Sequence, residues 1–457
     1  MRNSILTNTD SYKVSMWKQY PPGTEYVYSY IEARGGQYDS TVLFGIQAFI
    51  REYLTKPFNQ ADIEFADKFW TAHGEPFNRE GWQYILDKHN GILPVEITSV
   101  DEGLVIPTRN VLASIVNTDP KVHWLTTWIE TALLRAVWYP TTVATQSWNI
   151  KQLLKTYLEK SGNPANVAFM LHDFGARGVS SYESAKIGGM AHLTNFMGTD
   201  TAIAILGAHE YYDADIYTTA FSIPAAEHST ITSWGRAYED LAYENMVKQF
   251  SKPGSIYAVV SDSYDIYRAV ELWGITLKDI VVSSGGTLVI RPDSGDPLEV
   301  MPRLLKSLAK NFGTTKNVKG YLKLNNVKLI WGDGINRSSI SSILRVCVDV
   351  MGFSADNFAF GMGGALLQIV NRDTCEFAMK ASAAKIDGVW KDVYKDPVGA
   401  NNKASKKGLL MLIKNDKKEY ETIRFNKHNV NLLKSRYLNG QLLNQITFDQ
   451  VRKNTEL

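Results

Sequence analysis

The chain has 457 residues, 44% hydrophobic and 21% charged, a globular composition too long for one ordinary core, so two or three domains, or a barrel with additions, are expected. Its 49 Lys and Arg against 47 Asp and Glu leave a formal charge of +2, which argues against nucleic acid or an anionic membrane as principal partner and makes any phosphate recognition local. Two cysteines, Cys347 and Cys375, offer neither a disulfide framework nor metal-ligand spacing, and the absence of a leader-like start or an 18-residue apolar run completes the expectation of a cytoplasmic protein.

Near the N-terminus, Tyr26, Tyr28 and Tyr30 alternate with Val27, Ser29 and Ile31, which predicts a strand. A second β-rich stretch spans 95–116, interrupted at Gly103 and Pro107. Leu125, Trp128, Ile129, Ala132, Leu133 and Ala136 then recur at helical spacing, and Pro140 is expected to stop that helix. From about Val167 short apolar runs alternate with Gly- or Asp-bearing turns and amphipathic helices, the mark of βα units. Strands at 255–260, 287–290 and 327–331 lead through SDS, RPDSGDP and GDG into helices. Asp296 and Pro297 make a cap and first-turn pair for a helix facing inward with Leu298, Met301, Leu304, Leu305 and Leu308. A helix with Ile340, Ile343, Leu344, Cys347 and Met351 inward follows, ending at Gly352. This pattern fits an α/β barrel or a doubly wound sheet, with the site at the strand C-termini. The tail returns to β character around Asn415-Asp416 and Asn439-Gly440. The expected division is an accessory α+β domain from 1–140 and 385–457 around a barrel from 141–384.

Three consecutive turns carry the chemistry. Arg291 and Asp293 of RPDSG can hold phosphate and ribose, while Gly332-Asp333-Gly334 and Gly361-Met362-Gly363-Gly364 let backbone N–H groups approach an anion. Each alone also reads as an ordinary tight turn. Phe174 of LHDFGARG is an aromatic face for a flat substrate or a core residue. Asp200 is an acceptor for an amide NH₂ or a helix cap. His228, after Glu227, is a phosphoryl acceptor, a pyrophosphate donor, or a capping histidine. The lysines from Lys380 to Lys418 are a solvated face or a set that neutralises phosphates.

Collinear motifs along nearly the whole chain, among them TDSYKVSMWKQYPP, YSYIEARG, LHDFGARGVSS, HLTNFMGTDT, PAAEHSTIT, VSDSYDIY, IRPDSG, GDG, GALLQ, KDPV and SKKG, resemble the nicotinamide phosphoribosyltransferases, a branch of the type II phosphoribosyltransferases. The resemblance implies an irregular α/β barrel with an accessory α+β domain. It also implies transfer of phosphoribose from phosphoribosyl pyrophosphate (PRPP) to nicotinamide in NAD salvage, by a homodimer with composite sites. On this resemblance nicotinamide stacks between Phe174 and Tyr12 of the partner subunit, Asp200 faces its carboxamide, and Arg177 lies near ring and phosphate. Asp262, Arg291 and Asp293 surround ribose and pyrophosphate; Gly332, Asp333, Gly363 and Gly364 cradle the phosphate. Arg372, Lys380, Lys395 and Lys403 reach phosphates from the second subunit, and His228 takes a phosphoryl group from ATP, a coupled substrate. Mg²⁺ is expected on pyrophosphate, without a fixed protein-ligand site. Ala176 stands where a tyrosine is usual. A nicotinate-specific relative is disfavoured by Asp200, whose charge would repel a carboxylate. A non-catalytic binding protein is disfavoured by the retention of Arg291, Asp293 and His228.

Overall fold

The computed structural model describes residues 4–395 and 405–457. The chain forms two compact units, one from Met1–Thr145, Gly207–Ala214 and Val370–Leu457, the other from Gln146–Leu206 and Asp215–Ile369.

The first unit is built on a seven-stranded antiparallel sheet. In spatial order its strands are Val389–Asp392, Phe377–Ile386, Thr24–Ala33, Val111–Asn117, Val95–Ser99, Lys434–Leu438 and Gln441–Leu442. The strand predicted around Tyr28 is thus central, and the C-terminal strands join the N-terminal ones as expected. The strand Phe377–Ile386, which the sequence reading gave to the barrel, pairs instead with Thr24–Ala33, bringing Lys380 opposite Tyr30. It is followed by the antiparallel strand Val389–Asp392 and not by a helix, so it makes no βα unit. Trp82 packs edge-on to Trp124 and Trp128 at centroid distances of 5.1 and 5.2 Å, anchoring the core beneath the sheet.

The predicted stop at Pro140 is not observed: one helix runs Leu125–Ser161 through the proline. A proline removes one backbone donor and leaves the carbonyl four residues earlier without its partner. Here the Ala136 carbonyl lies against Gly45, where a Cβ would stand 2.6 Å from that oxygen and 2.6 Å from the Pro140 ring. Gly45, at φ 109°, has no Cβ and is held by its N–H to Glu102. Close backbone approach, which helical periodicity does not register, accommodates the interruption.

The second unit contains six parallel strands: β1 Leu171–Asp173, β2 Gly198–Thr199, β3 Ile256–Val260, β4 Thr287–Arg291, β5 Val327–Trp331 and β6 Phe358–Met362. Their order is β2-β1-β6-β5-β4-β3. Segment 221–226 joins the two edges. It bridges β2 at Gly198 and β3 at Ala258, with Phe221 N–H donating to Met197 O (2.8 Å) and Ala258 N–H to Pro224 O (2.9 Å). The sheet therefore closes as an irregular α/β barrel. The strands are near-continuous apolar runs because both faces are covered. Leu288, Ile290, Leu329 and Trp331 are buried on one face, while Ala258, Val289 and Ile330 meet Phe174, Ile223 and Ala359 on the other.

Helix Pro297–Phe312 follows β4, with the Asp296 side chain accepting from Leu298 N–H as the cap predicts. Met301, Leu304, Leu305 and Leu308 are buried, but Leu298 is exposed because the first turn projects beyond the sheet contact, and Val300 is buried in its stead. Ile340, Ile343, Leu344 and Cys347 are buried as expected, and Gly352 turns the chain at φ 74°. No helix among the described residues is long and apolar enough to cross a membrane.

Candidate active site

Strand direction places the polar residues. Side chains alternate along a strand, so in β4 Val289 and Arg291 share the barrel face, and the chain leaving it carries Asp293 over the C-terminal end. Asp262 leaves β3 beside it. Its side chain is 4% exposed, and Oδ2 accepts from Asp293 N–H at 3.0 Å and from the Ser294 hydroxyl at 2.5 Å. His228 opens the short helix His228–Thr232, with Nε2 3.7 Å from Asp262 Oδ1 and 3.9 Å from Asp293 Oδ2. Its Nδ1 lies 3.0 Å from Ser263 Oγ. Arg291 Nη2 is 3.7 Å from Asp293 Oδ2, and its Nε is buried without a hydrogen-bond partner among the described residues. Four residues singled out from three separate segments thus converge, with an arginine donor left without an acceptor among the described residues.

A cavity of about 340 Å³ in the barrel shares Arg291 with this cluster. Ala258, Val289 and Ile330 give it an apolar wall and Phe174 an aromatic one, while Asp200, Ser222, Arg291 and His172, with Asn166, Lys328 and Asp356 elsewhere on the lining, supply polarity. Phe174 N–H donates to Met362 O at 2.9 Å, tying its turn to β6. Asp200 follows β2, and its Oδ1 accepts from the Ser222 hydroxyl at 2.6 Å. The helix Ile203–Tyr212 begins without an Asp200 side-chain bond, so of the two sequence readings the cap is not formed. An apolar slot with few convergent polar groups suits a flat ring carrying a polar substituent.

Glycines shape this slot as well as the turns. A Cβ on Gly361 would lie 1.9 Å from the Phe174 ring, and one on Gly332 would lie 3.0 Å from Asp293 Oδ1. Gly332 and Asp333 leave β5 before helix Arg337–Leu344, and Gly363 and Gly364 open the short helix Gly364–Leu367 after β6. Arg177 is exposed on the turn Ala176–Gly178, where a Cβ on Gly178 would stand 3.3 Å from Gly364.

Burial perturbs the groups around the slot. Burial, seconded by the charge of Asp200, raises Asp173 to about 6 against the lowering effect of Gly175 N–H. His172 is pushed down by desolvation. Its Nε2 sits 3.0 Å from the Phe169 carbonyl, so the neutral ring carries its proton there. Further into the barrel, desolvation and then Lys323 lower the Lys328 ammonium.

Tyr12, 58% exposed in the turn Ser11–Lys13, belongs to the first unit, as do Arg372, Lys380 and Lys395. Lys380 reaches solvent, yet desolvation along its stem lowers its pKa, as do Arg34, Lys13 and Lys395, offset by Glu130. Of these neighbours Lys13 is buried and paired with Glu130, and Arg34 is paired with Glu32. Lys403 lies outside the described residues. Sequence reasoning missed Ser222, Ser263 and His172. Ser222 sits in the segment joining the barrel edges, which has neither helical nor strand periodicity; its one signal is a hydroxyl in the apolar run AFSIPAA.

The nicotinate phosphoribosyltransferase family model matches residues 169–441, more than half of the chain. The chain belongs to this family. It is a phosphoribosyltransferase. A second model, the N-terminal domain of nicotinamide phosphoribosyltransferase, matches residues 4–97. The chain is 50% identical over 464 residues to a nicotinamide phosphoribosyltransferase of Xanthomonas campestris, covering 99% of this chain and 98% of that protein. It is 31% identical to one of Acinetobacter baylyi, covering 99% and 97%. Among solved structures it is similar to a nicotinate-nucleotide pyrophosphorylase of Pyrococcus furiosus (TM-score 0.62, 15% identity, 99% and 97% covered). It is also similar to human nicotinic acid phosphoribosyltransferase (TM-score 0.53, 14% identity, 98% and 92% covered). At these identities the structural likeness is one of fold.

Proposed function

We propose that this phosphoribosyltransferase joins nicotinamide to the ribose of PRPP in NAD salvage, giving nicotinamide mononucleotide and pyrophosphate. The observation that carries the choice of base is Asp200 on the wall of a mainly apolar slot that also holds Phe174, its carboxylate held by Ser222. A fixed carboxylate accepts from a carboxamide NH₂ and repels nicotinate. The relatives named nicotinamide phosphoribosyltransferase support the same choice.

The ring nitrogen attacks C1 of the ribose as the C1–O bond to pyrophosphate breaks, through a transition state with oxocarbenium character. The protein's work is positioning and charge stabilisation. Phe174 orients the ring. Arg291, with a buried Nε that has no partner among the described residues, offers donors to the departing pyrophosphate, and Asp293 and Asp262 face the sugar. Asp262 Oδ1, buried and without a hydrogen-bond partner among the described residues, and Asp293 form a hard-oxygen edge that fits a Mg²⁺ ion carried mainly by pyrophosphate. When bound, that ion offsets the leaving group's charge.

The reading includes a homodimer in which Tyr12, Arg372, Lys380, Lys395 and Lys403 of the partner chain complete each site. It also includes ATP coupling through phosphorylation of His228, a half-exposed histidine ordered by Ser263. The test is to incubate purified protein with PRPP and Mg²⁺ and either nicotinamide or nicotinate, with and without ATP, and identify the mononucleotide. Nicotinamide mononucleotide, made faster with ATP in wild type but not in His228→Ala, is the expected result. Nicotinate mononucleotide as the main product contradicts the choice of base, and equal ATP stimulation of both proteins contradicts the phosphohistidine.

A further inference from the structure

Asp173 ends β1 between the two residues assigned to the ring and contributes to neither wall of the slot. Its side chain is fully enclosed. Oδ1 accepts from Gly175 N–H at 2.7 Å, in the turn that carries Phe174. Oδ2 is directed to the other side, where a Cβ on Gly189 would meet Thr201 Cγ2 at 3.1 Å and this oxygen at 3.3 Å. Asp173 Oδ2 and the Thr201 hydroxyl are both buried and neither has a hydrogen bond among the described residues, yet the hydroxyl is close enough to favour the ionised carboxylate. Thr201 immediately follows Asp200, whose own N–H donates to the Asp173 carbonyl at 2.9 Å. One buried residue therefore spans the segment bearing the stacking ring and the segment bearing the carboxamide acceptor.

A buried acid at this point is costly where an apolar residue would pack, and Gly189 on helix Tyr182–Leu193 leaves space for it. We propose that Asp173 is a positioning residue: its carboxylate holds the Phe174–Gly175 turn through Gly175 N–H and packs beside the Thr201 hydroxyl, its carbonyl holds Asp200 N–H, and together they set the spacing between the ring's face and its amide acceptor. This rests on the nicotinamide reading of the slot. Its consequence is specific. Loss of the carboxylate loosens the base site and leaves the Asp262, Arg291 and Asp293 cluster, carried by other strands, unchanged.

The test compares wild type with Asp173→Ala, Asp173→Asn and Thr201→Val in steady-state kinetics, varying nicotinamide and PRPP separately, with thermal melts alongside. Asp173→Ala removes the acceptor for Gly175 N–H and is expected to raise KM for nicotinamide by about tenfold, with kcat and KM for PRPP changed less than about threefold. Asp173→Asn keeps a carbonyl acceptor for Gly175 N–H and is expected to recover most of the loss. Thr201→Val, which withdraws only the hydroxyl beside Oδ2, is expected to raise the same KM by about threefold. If Asp173→Ala does not fold, Asp173→Asn and Thr201→Val decide. Unchanged nicotinamide KM in Thr201→Val together with a wild-type profile for every folded Asp173 variant overturns the proposal. So does a parallel rise in both KM values that Asn fails to rescue. Wild-type protein that makes no nicotinamide mononucleotide fails the functional reading itself, a different result from active wild type with indifferent variants.

Discussion

Gly361 and Asp173 show how single residues set the base site. Gly361 looked like a turn glycine for anion binding, but its missing side chain is what the Phe174 ring occupies, at 1.9 Å from where a Cβ would be. Gly361→Ala has no positive φ to violate, so its effect should be displacement of the ring. We expect KM for nicotinamide to rise by about tenfold with little loss of melting temperature. An unchanged KM would mean that Phe174 is not the stacking face. Asp173 gives a pH signature. Its pKa is raised from 3.8 to about 6, so between those values the folded protein holds a proton that the unfolded chain has released. The stability it contributes is present at low pH and lost as pH rises through that window, on the order of 2–3 kcal/mol. Asp173→Asn removes this dependence. The stability difference between variant and wild type should therefore be larger at pH 7 than at pH 4, as read by denaturant unfolding; a difference independent of pH contradicts the assignment.

Among the elements, the βα units were legible because their strands are apolar on both faces and their helices carry clean caps, as at Asp296. The long helix Leu125–Ser161 was not, because what lets it pass Pro140 is Gly45, far away in sequence. Its far end is finished by a distant residue too. Lys319 Nζ donates to Leu158 O (3.1 Å), Glu159 O (2.7 Å) and Gly162 O (2.8 Å), while Asn317 Nδ2 donates to Ser161 O (2.7 Å). The Glu159 and Ser161 carbonyls are among those that a helix C-terminus leaves without partners, while Leu158 O also accepts from Gly162 N–H at 2.8 Å. Lys319→Met should cost about 1–2 kcal/mol, lowering the denaturant midpoint without altering KM. Unchanged stability would mean that water serves those carbonyls equally well. The same limit explains Ser222: periodicity finds strands and helices, whereas barrel closure by segment 221–226 depends on bridges to Gly198 and Ala258 that carry no local pattern.

For the whole molecule, motifs located the candidate residues while the boundaries followed pairing partners. Strand Phe377–Ile386 joins the accessory sheet through Thr24–Ala33, and Gly207–Ala214 also lies in the first unit. The composite-site reading makes its own prediction. Tyr12→Ala and Phe174→Ala homodimers should each be weak, since every site lacks one ring face. Re-paired heterodimers should contain one intact site and recover about half of wild-type activity. No recovery despite verified exchange would place both residues in one chain's site or make Tyr12 structural. Whether the Asp200 carboxylate in the barrel slot selects nicotinamide is read from kcat/KM for nicotinamide and nicotinate in wild type and in Asp200→Asn. Wild type should prefer nicotinamide, and the variant should lower that preference by about tenfold or more. A ratio unchanged by the substitution, or a wild-type preference for nicotinate, would contradict that role.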